Sequence, residues 1–109
     1  MARMDDRTPP HPSVQDVTLQ QILEALVDPV RRSIVTRLWD SDTDIKCGGF
    51  DLTVSKSTAT HHFNVLREAG LIRQHYAGTA RMNTLRRDEL EQTFPGLLKA
   101  IVTAAHRQQ

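Results

Sequence analysis

The chain has 109 residues, 39% of them hydrophobic, a single cysteine and a formal net charge of +1. That length supports one small domain with a modest core and leaves little material for a deep substrate cleft, so a domain stabilised by pairing with a second copy is the natural expectation. No run approaches the roughly 20 consecutive apolar residues of a membrane span, the opening MARMDDRTPPHPS lacks the apolar centre of a secretion signal, and Cys47 alone forms neither an internal disulfide nor a cysteine-rich zinc site. The expectation is a cytoplasmic protein with no membrane partner.

Residues 1–13 carry Pro9, Pro10 and Pro12 among polar neighbours and read as a disordered arm outside the core. From Val14 the apolar residues Val17, Ile22, Leu23, Leu26 and Val27 recur at helical spacing until Asp28-Pro29 stops them. The same dipeptide starts a second helix, because Asp28 can accept from the first free N–H groups while Pro29 fills a position that needs no donor. That helix runs through VRRSIVTRLW, with Val30, Ile34, Val35, Leu38 and Trp39 on one face. The acidic stretch DSDTDIKCGGFDL, residues 40–52, reads as a loop with a short, irregular turn of helix, since each of Gly48 and Gly49 weakens a helix by roughly 1 kcal/mol relative to alanine.

Ser55 is a good N-cap for a helix over residues 56–68, which puts Ala59, Phe63, Leu66 and part of His62 on one stripe and stops at Gly70. Lys56, Ser57, Thr60, His61 and Asn64 face the other way. Residues 71–85 hold two extended runs around Ala77-Gly78-Thr79-Ala80 and read as a hairpin carrying Arg73, His75, Thr79 and Arg81. A short polar helical turn then ends at Pro95-Gly96, and a last amphipathic helix carries Leu97, Leu98, Ile101, Val102 and Ala105.

Charge is unevenly placed: residues 1–54 hold nine acids and six bases, whereas residues 55–87 hold Lys56, Arg67, Arg73, Arg81, Arg86 and Arg87 against Glu68 alone. Such a block reads either as a polyanion footprint or as a solvated basic face. The order of elements is that of a winged helix-turn-helix: mainly α, about five helices, with a small β-hairpin wing. A capped helix bearing Ser, Thr, Asn and Lys suits the major groove of double-stranded DNA, with hairpin arginines reaching phosphates or the neighbouring minor groove.

The segments ALVDPVRRSIVTRLW and VSKSTATHHFNVLREAGLIRQHYAGTARMNTL resemble the ArsR family of bacterial winged-helix transcriptional repressors, which share an Asp-Pro-x-Arg segment, a Ser-x-Ser-Thr-x-x-His-His-x-x-x-Leu recognition helix and an Ala-Gly-Leu-Ile step into the wing. The resemblance spans about residues 18 to 90. It implies a homodimeric DNA-binding regulator, residues 14–107 forming one DNA-binding and dimerisation domain. It also implies that Ser57, Thr58, Thr60, His61 and Asn64 lie at or near the groove, with Lys56 beside a phosphate; the hairpin's Arg73, His75, Thr79 and Arg81 complete the expected DNA contacts. The expected dimer contacts are Val17, Ile22, Leu23, Leu26, Leu97, Leu98, Ile101, Val102 and Ala105, apolar residues in excess of what a small domain covers alone. An inverted-repeat operator follows from the two-fold symmetry of such a dimer.

Adjacent histidines on a helix point about 100° apart and do not readily chelate one ion, so His61 reads as helix surface and His62 as a hydrogen-bonded core-edge residue. The family's thiolate metal site needs a Cys-x-Cys pair, and KCGGFDL supplies Cys47 alone; Asp88, Glu89 and His106 are the only candidates for its other metal site, across the Pro95-Gly96 break. No metal, no cofactor and no catalytic constellation is expected. Two alternatives remain at this point: a thiol- or metal-responsive sensor using Cys47, and a protein-interaction winged helix without DNA binding.

Overall fold

The computed structural model describes residues 7–108. Helix α1 spans Leu19–Leu26, shorter than the 17–27 expected, because Val17 is extended and buried and closes a 3-10 turn at Val14–Asp16. Thr18 begins α1 with a capping box: its hydroxyl accepts from the Gln21 N–H at 3.1 Å while the Gln21 carbonyl oxygen of the side chain accepts from the Thr18 N–H at 2.8 Å. Helix α2, Pro29–Asp40, starts as the sequence suggests, with Asp28 Oδ1 accepting from Val30 N at 2.8 Å and Arg31 N at 3.2 Å.

Between α2 and the next helix the expected short, irregular turn of helix is a 3-10 turn at Cys47–Gly49; strand β1, Ile45–Lys46, which was not expected, precedes it and irregular chain with bends follows. Helix α3 is Lys56–Glu68, capped by Ser55 Oγ accepting from Thr58 N at 3.2 Å. It ends at Gly70, whose φ of +75° turns the chain into strand β2, Ile72–Ala77. Strand β3, Ala80–Leu85, returns across the hairpin and also pairs with β1, so the antiparallel sheet runs β1-β3-β2. Helices α4, Arg87–Thr93, and α5, Leu97–Arg107, complete five α-helices among the described residues.

The core joins Ile22 and Leu26 of α1, Ile34, Val35 and Leu38 of α2, Phe63 and Leu66 of α3, Leu71, Ile72, Leu90, Leu98 and Val102. This corrects the expected dimer contacts: Val17, Ile22, Leu26, Leu98 and Val102 are buried inside this chain. Helical periodicity marks the stripe that a helix buries, and here the chain's own domain covers it. Leu97, Ile101 and Ala105 are half-buried, while Leu19 and Leu23 of α1 and Val27 just after it remain 48%, 44% and 71% exposed.

The arm is also corrected. Residues 1–6 of the expected disordered segment lie outside the described residues, but from Arg7 onward the chain is laid against the hairpin. Arg7 Nη1 donates to Gly78 O at 3.1 Å and its guanidinium lies 4.2 Å from the Tyr76 ring centre. The Gln74 N–H donates to His11 Nε2 at 2.8 Å, and the carbonyls of Pro10 and Pro12 accept from Arg67 at 3.2 Å and Arg86 at 2.7 Å. A proline-rich segment has few donors of its own, and these two arginines supply partners for its carbonyls.

Candidate nucleic-acid interface

Helix α3 turns Phe63 and Leu66 inward, and helical geometry then leaves Lys56, Ser57, Thr58, Thr60 and His61 exposed on the opposite side. Not all of these groups are equally available. Thr60 Oγ1 donates to Lys56 O at 3.0 Å, and Thr58 Oγ1 accepts from Ser55 Oγ at 2.9 Å, so both hydroxyls are held in place while retaining further hydrogen-bonding capacity. Asn64 is half-buried and its side-chain oxygen accepts from Arg67 Nη1 at 2.8 Å, which leaves its amide N–H groups as donors for other partners.

His62 is buried, with Nδ1 3.1 Å from Arg31 Nη1. Arginine only donates, so Nδ1 is the acceptor. Arg31 also donates to Ala25 O at 2.6 Å and Glu24 O at 3.3 Å, and the histidine thereby ties α3 to the α1–α2 junction. The two histidines therefore do different things: His61 belongs to the surface and His62 to the packing of the helix.

The hairpin register divides its candidates between two faces. Residues directly opposite one another in an antiparallel pair share a face. Ile72↔Leu85, Gln74↔Asn83 and Tyr76↔Arg81 therefore lie on the inner face, and Arg73↔Thr84 and His75↔Met82 on the other. Arg81 and Thr79 line one cleft with Lys56 and Thr60, so the fold brings these four expected residues together. Arg73 and His75 do not join them: Arg73 Nη2 donates to Glu89 Oε1 at 2.7 Å, and His75 Nε2 lies 3.3 Å from Asp44 Oδ2.

The basic block of residues 55–87 is also reduced. Arg67 and Arg86 are buried and hold backbone carbonyls of the arm, and Arg87 donates to Trp39 O with its guanidinium 4.0 Å from the Trp39 ring centre. Glu89 gathers Arg86 and Arg73; hydrogen bonds from Arg86 first, and then Arg73, outweigh the cost of burial and hold its carboxyl down at about 2. Of the six bases, Lys56 and Arg81 remain beside α3's outer face. Arg7 adds a third cation near the wing tip, which sequence reasoning missed because an isolated arginine in a proline-rich arm carries no local signal.

Inside the wing a buried polar chain was equally invisible. Arg67 Nη1 donates to Gln74 Oε1 at 3.1 Å, Gln74 Nε2 to Asn83 Oδ1 at 2.9 Å, and Asn83 Nδ2 to Ile45 O at 3.0 Å. Asn83 Nδ2 also lies 3.3 Å from the sulfur of Cys47, which is half-buried rather than enclosed. Burial and then the nearby Arg73, Arg67 and Arg86 hold His11 below the usual imidazole range, consistent with its role as acceptor for the Gln74 N–H. Two of the three candidates for a metal site are taken up elsewhere: Glu89 by two guanidiniums, and His106 by Asp40 Oδ2 at 3.0 Å. Among the described residues no group of three or more His, Cys, Asp or Glu is gathered for a metal ion, and no helix is long and apolar enough to cross a membrane.

A family model described as bacterial regulatory protein, arsR family, matches residues 28–74, from the Asp28 cap to the first half of the wing. The chain is 35% identical over 83 residues to YceK of Bacillus subtilis, an HTH-type transcriptional regulator, covering 74% of this chain and 83% of that protein. It is 26% identical over 83 residues to the transcriptional repressor SdpR of the same organism, covering 76% of this chain and 92% of SdpR. Among solved structures, an ArsR-like transcriptional regulator from Rhodococcus sp. RHA1 superposes with a TM-score of 0.60 at 25% identity, over 83% of this chain and 85% of that one.

Proposed function

Because this chain belongs to the ArsR family and is a DNA-binding transcriptional regulator, we propose that it acts as a cytoplasmic homodimeric repressor that places α3 in the major groove of an inverted-repeat operator. The observation that carries this reading is the outer face of α3, where Lys56, Ser57, Thr60 and His61 are exposed while Phe63 and Leu66 anchor the helix behind them. Ser, Thr, His and Asn side chains can meet base-edge donors and acceptors, and a groove about 12 Å wide admits one helix. Arg81 and Lys56 take phosphates on either side of the cleft, Thr79 and Arg7 sit toward the wing tip, and Arg73 and His75 have structural partners instead.

Pairing of two copies is supported by Leu19 and Leu23 of α1 and Val27 at its C-terminal end, three large apolar side chains left exposed. Together with the half-buried Leu97, Ile101 and Ala105 of α5 they are the residues of this reading's interface. Likeness to SdpR, a repressor by name, favours repression over activation.

Selection of bound duplexes from a random pool tests the proposal. Enrichment of two inverted half-sites with centres about 10 bp or a multiple apart is the expected result. Enrichment of a single unpaired site, or of no sequence, would overturn the dimeric operator reading.

A further inference from the structure

Helix α3 and the wing stand apart over a cleft of about 640 Å³. Its floor is apolar: Phe50 and Phe63 are buried with ring centres 5.5 Å apart, and Leu52 extends the same surface. Its rim is polar and cationic, with Lys56 and Arg81 and the exposed Thr60 and Thr79, and among the described residues no carboxylate lines it. The chain between α2 and α3 forms a 3-10 turn and irregular backbone there, and Phe50, Leu52 and Val54 line the gap without filling it. A second observation concerns Arg81 itself: its Nε is buried and has no hydrogen-bond partner among the described residues. A buried charged donor left unmet is costly, and a shift of the Arg81 side chain toward an acceptor brought by a ligand removes that cost.

We infer that this cleft binds a small organic anion with an apolar body, a monocarboxylate carrying an aromatic or branched aliphatic group. The volume falls in the range of small-molecule sites of roughly 300–1,000 Å³. The carboxylate meets Arg81 and Lys56, and the apolar body lies on Phe50 and Phe63. The same Arg81, Lys56 and Thr60 belong to the DNA-facing surface proposed above, so an occupied cleft withdraws them from DNA; that consequence, unlike the binding itself, rests on the proposed function. The occupant is thus an inducer that competes directly at the recognition face.

Cys47 borders the cleft and is the only cysteine of the chain, so its alkylation reports on occupancy with no DNA present. With 1-naphthoate as the probe and the full chain as the protein, calorimetry should show saturable binding of one molecule per chain, and iodoacetamide should modify Cys47 more slowly. The neutral analogue 1-naphthalenemethanol should bind at least roughly tenfold more weakly, and Arg81→Gln should cost 1-naphthoate a similar factor. Ala59→Trp, which places bulk in the cleft, should abolish binding with the circular dichroism spectrum unchanged. In wild type, 1-naphthoate should weaken duplex binding as its own sites fill.

The inference is overturned by the absence of saturable binding at millimolar probe, or by equal binding of the acid and the alcohol to wild type and Arg81→Gln. It is also overturned if Cys47 becomes reactive, and naphthoate binds, only after residues 1–6 are removed, since the chain's own N-terminus would then fill the cleft. Naphthoate binding that leaves duplex affinity untouched refutes the competition. Failure of the unliganded protein to bind any duplex counts against the proposed function and leaves the cleft measurements standing.

Discussion

Arg81→Ala and Arg73→Ala remove the same charge a few residues apart on one hairpin, and the structure assigns them different outcomes. Arg81 shares a cleft with Lys56 and Thr60 of α3, whereas Arg73 lies on the opposite face of the sheet, 2.7 Å from Glu89. Each phosphate neutralised on duplex DNA contributes about 0.9 to the slope of log affinity against log salt. Losing one contact at Arg81 should therefore flatten that slope by about 0.9, and the penalty relative to wild type should shrink by roughly 3.5-fold between 50 and 200 mM salt. Arg73→Ala should leave the slope unchanged. Glu89 would keep its two bonds from Arg86 at 3.1 and 2.7 Å, so the stability lost with Arg73 stays within about 1 kcal/mol. Because both variants lower the net charge by one, long-range attraction changes alike and the comparison isolates contact. Fluorescence anisotropy with a labelled duplex over a salt series measures both slopes without knowledge of the operator. Equal flattening by the two variants, or none by Arg81→Ala, would refute the division of the hairpin into two faces with different roles.

Glu89→Gln tests the acid node between wing and α4. Its carboxyl is held at about 2, below the ordinary 4.5, so the associated stability is complete above pH 4.5 and is lost as pH falls toward 2. Since the Glu89 side chain is 45% exposed, solvent screening reduces the expected cost of the variant at pH 7 to roughly 1 kcal/mol, and urea midpoints of variant and wild type should converge in acid. Gly70→Ala should destabilise by roughly 2 kcal/mol or more, combining left-handed backbone strain at φ +75° with a Cβ 2.9 Å from Val17 Cγ2. Combining it with Val17→Ala should recover less strain than clash, so thermal melts of the double variant that match Val17→Ala alone would contradict the backbone part. Leu23→Asp should shift light-scattering mass toward the monomer while the melting temperature of the fold holds, whereas Ile22→Asp, one residue away but buried, should unfold the chain.

Helix α3 was legible because every signal that defines it is local: the Ser55 cap, the Phe63–Leu66 stripe and the Gly70 stop all lie within one stretch of sequence. The hairpin was legible for the same reason, turning at Gly78. Strand β1 was not, since two residues with a following Gly-Gly have no local reason to be extended and are held by pairing of Ile45 with Asn83 and Lys46 with Met82. The dimer contacts were misjudged because a helical apolar stripe reports that a helix is buried without saying against what. The arginines were overcounted as a footprint for a related reason: composition registers charge, while Arg67 and Arg86 spend their donors on carbonyls more than 50 positions away in sequence.

These long-range bonds bear directly on how the wing is set against α3. Slipping the hairpin by one residue would exchange its two faces, sending Arg73 and His75 inward and Arg81 outward. The alternation of apolar residues resists this weakly, since between Ile72 and Leu85 the inner face consists of Gln74, Asn83, Tyr76 and Arg81. What opposes slippage is hydrogen bonding that only one register satisfies: Gln74 between Arg67 and Asn83, Asn83 on Ile45 O, and the Gln74 N–H on His11. Any slip leaves several buried polar groups unpaired at about 1–3 kcal/mol each, a large fraction of the stability of a small domain. Arg67 starts this chain from within α3, so one network fixes both the register of the wing and its position against α3. The placement of Arg81 across the cleft from Lys56 and Thr60 thus depends on the buried Arg67, Gln74 and Asn83, which do not line that cleft.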